Sequence, residues 1–168
     1  YDRDRGYVCT FSALVVKSTT AHLFHVGDAR IYRVHRRSLE QLTVDHRAWL
    51  GEQSQLTRAL GVNERLDIDY QSLALEPGEV FLLATDGVYE FIDPARVAEL
   101  IGASGGDLQQ AAEALVAEAL ANGSDDNLTV QLLRIDSLPS GQAAELHRQF
   151  ADLPLPPADV PLVAVLRD

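Results

Sequence analysis

The sequence predicts a layered α+β domain in which strands come first and helices later, and three observations carry that expectation. Val8 to Val16 is an almost unbroken run of small and branched apolar residues, so both alternating faces of this strand are apolar, as in strands covered on each side by other layers. Ala21 to Val26 and Ile31 to Val34 follow it at close spacing. Two capped helix starts, Asp93-Pro94 and Asp107, appear only in the second half.

Taken in order, Lys17-Ser18-Thr19 and Gly27-Asp28 punctuate the first three runs, which predicts two tight antiparallel connections and a three-stranded meander. From Asp45 to Glu64 the pattern gives way to a polar connection containing Trp49, with a short helical piece over Leu56 to Leu60 stopped by Gly61. Leu66 to Leu75 alternates loosely, Glu76-Pro77-Gly78 reads as a turn, and Val80 to Ala84 as a short buried strand ended by Asp86-Gly87. Asp93-Pro94 opens a helix closed by Gly102. Asp107, with Gln110 three residues on, opens another that places Leu108, Ala112, Leu115, Val116 and Ala119 on one face and turns Glu113 and Glu118 outward. Gly123 stops it, and Leu128 to Ile135 is the last strand. The composition changes after Ser137: residues 1–137 read as one domain, and 138–168 as a tail with a short helix over Gln142 to Phe150, a proline-rich stretch from Leu153 to Pro161 and an apolar end.

Acidic residues outnumber basic ones by 25 to 14, a net charge of -11 that repels polyphosphate, so nucleic acid is not expected as a partner. No apolar run reaches the roughly 20 residues needed to span a bilayer, and one cysteine cannot close an intramolecular disulfide, so the expectation is a cytoplasmic protein with no membrane partner. With no methionine and a start at Tyr1, the chain is expected to be a fragment.

Three acids share one local setting. Asp28, Asp86 and Asp126 each lie at a strand boundary beside glycine, another acid or asparagine. Taken singly, each reads best as an ordinary turn or helix stop. Together, without a His or Cys cluster, they describe oxygen donors for a hard cation such as Mg2+ or Mn2+ and do not suit structural zinc. His22, His25, His35, His46 and His147 form no ligand set by spacing, and His22 and His25 fall on opposite faces of a strand. Cys9, in an apolar run without a neighbouring base, reads as a packed small hydrophobe.

Five segments in order carry a resemblance: His25-Val26-Gly27-Asp28-Ala29-Arg30-Ile31-Tyr32-Arg33, Leu42-Thr43-Val44-Asp45-His46, Leu56-Thr57-Arg58-Ala59-Leu60-Gly61, Leu82-Leu83-Ala84-Thr85-Asp86-Gly87-Val88 and Ser124-Asp125-Asp126-Asn127-Leu128-Thr129-Val130. Over about residues 7 to 136 the chain resembles the C-terminal two thirds of a bacterial metal-dependent protein phosphatase of type 2C (PPM family). The resemblance implies a two-sheet antiparallel β-sandwich flanked by helices, four layers in the order αββα, incomplete at the N-terminus. It implies hydrolysis of phosphoserine and phosphothreonine in a phosphorylated protein substrate by a water held between divalent metals, with two or three Mn2+ or Mg2+ ions in a complete domain. Asp86 matches the metal-ligand aspartate of the family's Asp-Gly motif, Asp126 that of its Asp-Asn motif, and Asp28 the aspartate associated with a further, weaker metal position.

Ala29 stands where the family usually has serine. The family's N-terminal Asp-Gly and Gly-Gly-His motif, which brings a metal ligand, has no counterpart here, and neither does its phosphate-binding arginine; Arg30 and Arg58 are the candidates in its place. The chain alone is therefore expected to be inactive. Asp45-His46 reads as a loop-ordering pair. The tail resembles the connector of proteins in which such a phosphatase precedes a cognate serine/threonine kinase, which would then lie beyond Asp168. Two rivals stand beside the phosphatase: a non-catalytic phosphatase-like binding or regulatory module, and a calcium-stabilised structural domain.

Overall fold

The computed structural model describes residues 7–35, 38–50, 53–62 and 66–139. The chain divides into two compact units, Tyr1–Leu138 and Pro139–Asp168. The helix and proline-rich stretch expected in the tail lie outside the described residues.

The first unit is built on two antiparallel sheets. One has three strands in the order β1 (Phe11–Lys17), β2 (Thr20–Val26), β7 (Asp69–Ala74). The other has four, in the order β4 (Ser38–Gln41), β3 (Arg30–His35), β8 (Val80–Ala84), β9 (Val130–Arg134). A separate hairpin joins β5 (Arg47–Leu50) to β6 (Gln53–Leu56). Helices α1 (Asp86–Tyr89), α2 (Pro94–Ala103) and α3 (Leu108–Ala121) complete the α+β fold.

Side-chain alternation sorts the core into two layers. On β8, Phe81 points between the sheets, where it meets Ala21, Leu23, Ile31, Leu75 and Ile135. Its neighbours Leu82 and Ala84 point to the other face and pack with Tyr32 under Val88, Val97, Ile101, Ala111, Leu115 and Ala119 of the helices. Strands covered on both faces are therefore β8 and its neighbour β3, whose Ile31 joins the first layer and Tyr32 the second. For β1 the expectation fails: Phe11 and Val15 lie on the outer face of an edge strand and are 42% and 48% exposed. Among the described residues helices cover only the four-stranded sheet, so three of the four expected layers are present.

The expected meander is also corrected. Lys17 to Thr20 does form a tight hairpin, with Ser18 at φ 53. After β2 the chain instead crosses to the other sheet, where β3 pairs with β4 and β8. Gly27 makes the crossing possible: its φ is +115, and a Cβ there would stand 2.4 Å from Thr10 Cγ2. The expected helical piece over Leu56 to Leu60 is the end of the β5–β6 hairpin, followed by a bridge from Leu60 to Cys9. Cys9 is exposed, not packed.

The helix starts behave as read. Asp93 accepts from the Ala95 amide at 2.8 Å and Asp107 from the Gln110 amide at 3.0 Å. Helix α2 runs past Gly102 to Ala103, and the buried stripe of α3 is Ala111, Leu115 and Ala119. Glu118 faces outward onto Arg96 of α2, at 3.0 Å.

Candidate metal centre

The three aspartates singled out in the sequence come from three loops at one end of the four-stranded sheet: Asp28 before β3, Asp86 after β8, Asp126 before β9. The Asp86 and Asp126 loops are joined directly. Ser124 Oγ donates to the Gly87 carbonyl at 2.7 Å, and Thr85 Oγ1 donates to the Asn127 carbonyl while accepting from the Thr129 amide, both at 3.0 Å. A Cβ on Gly87 would lie 3.2 Å from Asp126 Cβ and 2.8 Å from the Asn127 carbonyl oxygen, so these turns pack backbone to backbone and need glycine at this point. Asp86 Oδ1 accepts from the Gly87 amide at 3.0 Å and Asp126 Oδ1 from the Asn127 amide at 2.7 Å.

Asp28 is held from the other side by a buried histidine. The His46 amide donates to the Gly27 carbonyl at 2.8 Å, and the Gly27 amide donates back to His46 Nδ1 at 3.0 Å. With Nδ1 an acceptor, a ring hydrogen of His46 sits on Nε2, which faces Asp69 Oδ2 at 3.0 Å and also meets Arg58 Nη2. Arg58 reaches the same carboxylate at 2.8 Å and holds it below the usual aspartate range, although burial opposes this. Asp45 receives a forked pair of hydrogen bonds from Arg30, at 2.9 and 2.7 Å, and Arg30 lies 3.7 Å over the Tyr89 ring. Arg30 and Arg58, the two phosphate-binding candidates, are thus both committed to carboxylates.

The residue that the sequence did not single out is Arg47, the first of β5. Its Nε donates to Asp28 Oδ2 at 2.6 Å, its Nη2 to Asp86 Oδ2 at 2.5 Å and its Nη1 to Glu90 Oε1. The side chain is 14% exposed. Burial alone would lower the Arg47 pKa; hydrogen bonds to Asp28 and Glu90 more than reverse this and the net direction is up. Asp86 is raised, first by burial and then by the Asp28 charge, with Asp126 adding to the same effect and Arg47 opposing it. Asp86 therefore feels both other aspartates.

A hard divalent cation wants oxygen donors, and the donors here are of that kind. Arg47 acts as a stand-in for such a cation, drawing Asp28, Asp86 and Glu90 onto one positive centre. Among the described residues no three His, Cys, Asp or Glu side chains are grouped to hold an ion by themselves. The donors fit a divalent ion in chemistry; their present orientation serves the guanidinium.

Comparison with known proteins gives this end of the sheet a context. Residues 2–136 match the family described as Stage II sporulation protein E (SpoIIE). The serine/threonine phosphatase stp of Listeria monocytogenes serotype 4b is 27% identical over 155 residues, covering 83% of this chain and 61% of its own. Among solved structures, PppA, described as a key regulatory component of T6SS in Pseudomonas aeruginosa, superposes with a TM-score of 0.69 at 28% identity, over 74% of this chain and 56% of that one. The catalytic domain of the serine threonine protein phosphatase PstP, in complex with 2 manganese ions, shares the fold at a TM-score of 0.61 and 22% identity, over 73% of this chain and 56% of its own. The similarity to bacterial type 2C phosphatases read from the five motifs is borne out, and the chain spans about three fifths of the curated relatives it matches.

Proposed function

The chain belongs to the Stage II sporulation protein E (SpoIIE) family, and from that premise we propose that it forms part of a metal-dependent serine/threonine protein phosphatase acting on phosphoserine and phosphothreonine in a phosphorylated protein. The observation that carries this reading is that Asp28, Asp86 and Asp126 stand on three turns at one end of the four-stranded sheet, two of them latched by Ser124 and Thr85. These aspartates are the residues we assign to hold Mn2+ or Mg2+, in a pair or with a third, weaker ion.

When bound, such ions acidify a water and neutralise charge on the phosphoryl group. The chain's own contribution is positional. The Gly87 and Asn127 amides each fix one oxygen, Oδ1, of the adjoining aspartate, and the other oxygen of Asp86 is the one that meets Arg47. Tyr89 Oη donates to the Asp28 carbonyl at 2.9 Å and so ties the Asp28 loop to α1. No protein nucleophile is required, and exposed Cys9, whose thiol donates to the Thr10 carbonyl at 3.0 Å, is not assigned as one.

Three carboxylates, two of them turned onto Arg47, are a thin donor set for two ions. Our proposal is therefore that this chain alone turns over slowly or not at all. The same proposal takes residues 1–137 as the phosphatase-type domain and 138–168 as a connector, with a cognate kinase as partner and signalling in the cytoplasm as setting. No helix of the described residues is long and apolar enough to cross a membrane.

The test is Mn2+-dependent release of phosphate from a phosphothreonine peptide. It is run on this chain and on a hybrid that adds the part of the Listeria relative left uncovered by the alignment. Asp86→Asn and Asp126→Asn in the hybrid should each lower turnover by about a hundredfold or more; unchanged turnover would remove the assignment. A second reading, a non-catalytic module that binds phosphoproteins, is favoured by one observation, that Arg47 already neutralises part of the acidic cluster. It predicts peptide binding without turnover in both proteins.

A further inference from the structure

We propose that Arg47 is the resident counter-cation of this cluster and that its guanidinium and a divalent ion hold the carboxylates in turn, so that the site loads only when Arg47 lets go. This rests on the reading of Asp28, Asp86 and Asp126 as metal ligands.

The geometry assigns that role to Arg47 in three ways. Each of its three nitrogens engages a different carboxylate: Asp28, Asp86 and Glu90. These acids lie 19, 39 and 43 residues away in sequence, so the convergence belongs to the fold and is not a local turn. Asp28 and Asp86 each give Oδ2 to Arg47, so on both acids the lone pair aimed at the guanidinium is taken from a metal standing in the same place. Two cations on one carboxylate oxygen repel, and the repulsion is strong where side chains are as little exposed as these, 14% for Arg47 and 13% for Asp28.

The charge count still favours a divalent ion. Asp28, Asp86, Glu90 and Asp126 bring four negative charges and Arg47 one positive, leaving three negative charges around Asp86. The backbone before Arg47 is pinned, because the His46 amide donates to Gly27 and the His46 carbonyl accepts from the Thr57 amide, both at 2.8 Å. What moves is the long side chain of Arg47, which swings out while the Asp28 loop stays where His46 holds it.

The experiment is Mn2+ titration by calorimetry of the 168-residue chain, Arg47→Gln, Arg47→Lys and Asp86→Asn, with folding followed by circular dichroism. Arg47→Gln should bind Mn2+ about tenfold more tightly or better. Arg47→Lys, a point charge that cannot fork onto three acids, should fall between it and the parent. In the parent, Mg2+ should shift the Arg47 Nε–H resonance as its bond to Asp28 is given up. If the parent binds Mn2+, Asp86→Asn abolishes binding and Arg47→Gln binds no better, the inference fails while the metal-site reading stands. If neither the parent nor Arg47→Gln takes up Mn2+, both fail. Should Arg47→Gln not fold, Arg47→Lys and the Mg2+ titration decide: parent-like Mn2+ affinity and a static Nε–H signal overturn the inference.

Discussion

Ser124 Oγ donates to the Gly87 carbonyl at 2.7 Å, and this one bond ties the turn that carries Asp126 to the first turn of the helix that carries Asp86. Ser124 is buried, so a lost hydroxyl leaves the Gly87 carbonyl without that donor where water is scarce. Ser124→Ala should cost about 1–3 kcal/mol in urea denaturation. It should also weaken Mn2+ binding, because Asp86 and Asp126 then no longer move as a unit. Unchanged affinity in calorimetry would show that Thr85 alone keeps the turns together.

Gly87 makes a second, steric claim on the same contact. An added methyl would sit 2.8 Å from the Asn127 carbonyl oxygen, a backbone atom that cannot rotate away. Gly87→Ala should therefore push the Asp126 turn outward and cost about 1–3 kcal/mol, as over-packed sites do. Because α1 ends at Tyr89 and the core strand β8 lies before it, the rest of the fold should keep its circular dichroism spectrum. A melt equal to the parent's would show that the two turns do not pack as tightly as described.

What could be read in the sequence was what is decided locally. The buried run of β8 and the Asp93 and Asp107 caps follow from chemistry within a few residues, and all three stand as read. The crossing at Gly27-Asp28 was not legible, because a Gly-Asp pair suits a hairpin as well as a change of sheet; what decides is Thr10, which lies against Gly27 only in the folded chain. The β5–β6 hairpin has little hydrophobic alternation to announce it. The three aspartates were singled out from their motif setting, whereas Arg47 and Glu90 were not, since an arginine after His46 gives no sign of acids 39 and 43 residues on.

The Asp107 cap permits a plain stability test away from the site. Its carboxylate accepts from the Gln110 amide at 3.0 Å at the start of α3, whose Ala111, Leu115 and Ala119 seal the helix side of the core. Asp107→Ala should cost about 1 kcal/mol, and Asp107→Asn, which keeps an acceptor, much less. Mn2+ affinity should be untouched in both. A loss of affinity would mean that α3 positions the site, beyond closing the core.

His25 sets a pH dependence whose sign is fixed by its burial. It is 2% exposed and lies 4.9 Å ring to ring from His46. Its Nε2 faces the Val44 carbonyl at 3.1 Å, which can only accept, so Nε2 carries the ring hydrogen and Nδ1 is an acceptor 2.9 Å from Ser12 Oγ, whose one hydrogen is shared with the Ala29 carbonyl at 3.0 Å. Burial first, and then the neighbouring His46, lower its pKa from 6.5; the Val44 carbonyl, Asp69 and Asp45 pull the other way without restoring it. Above pH 6.5 neither folded nor unfolded chain protonates this ring, and its contribution is flat. Below pH 6.5 the unfolded chain takes up a proton that the folded one refuses, so stability falls with pH until the lowered folded pKa is passed, by at most about 1.4 kcal/mol per pH unit from this group. Urea midpoints of the metal-free protein at pH 7.5 and 5.5 should therefore differ. In His25→Gln, whose amide can still donate to Val44 and accept from Ser12, most of that difference should vanish. An undiminished pH slope in this variant would assign the effect to other groups and place His25 outside the acid response of the fold.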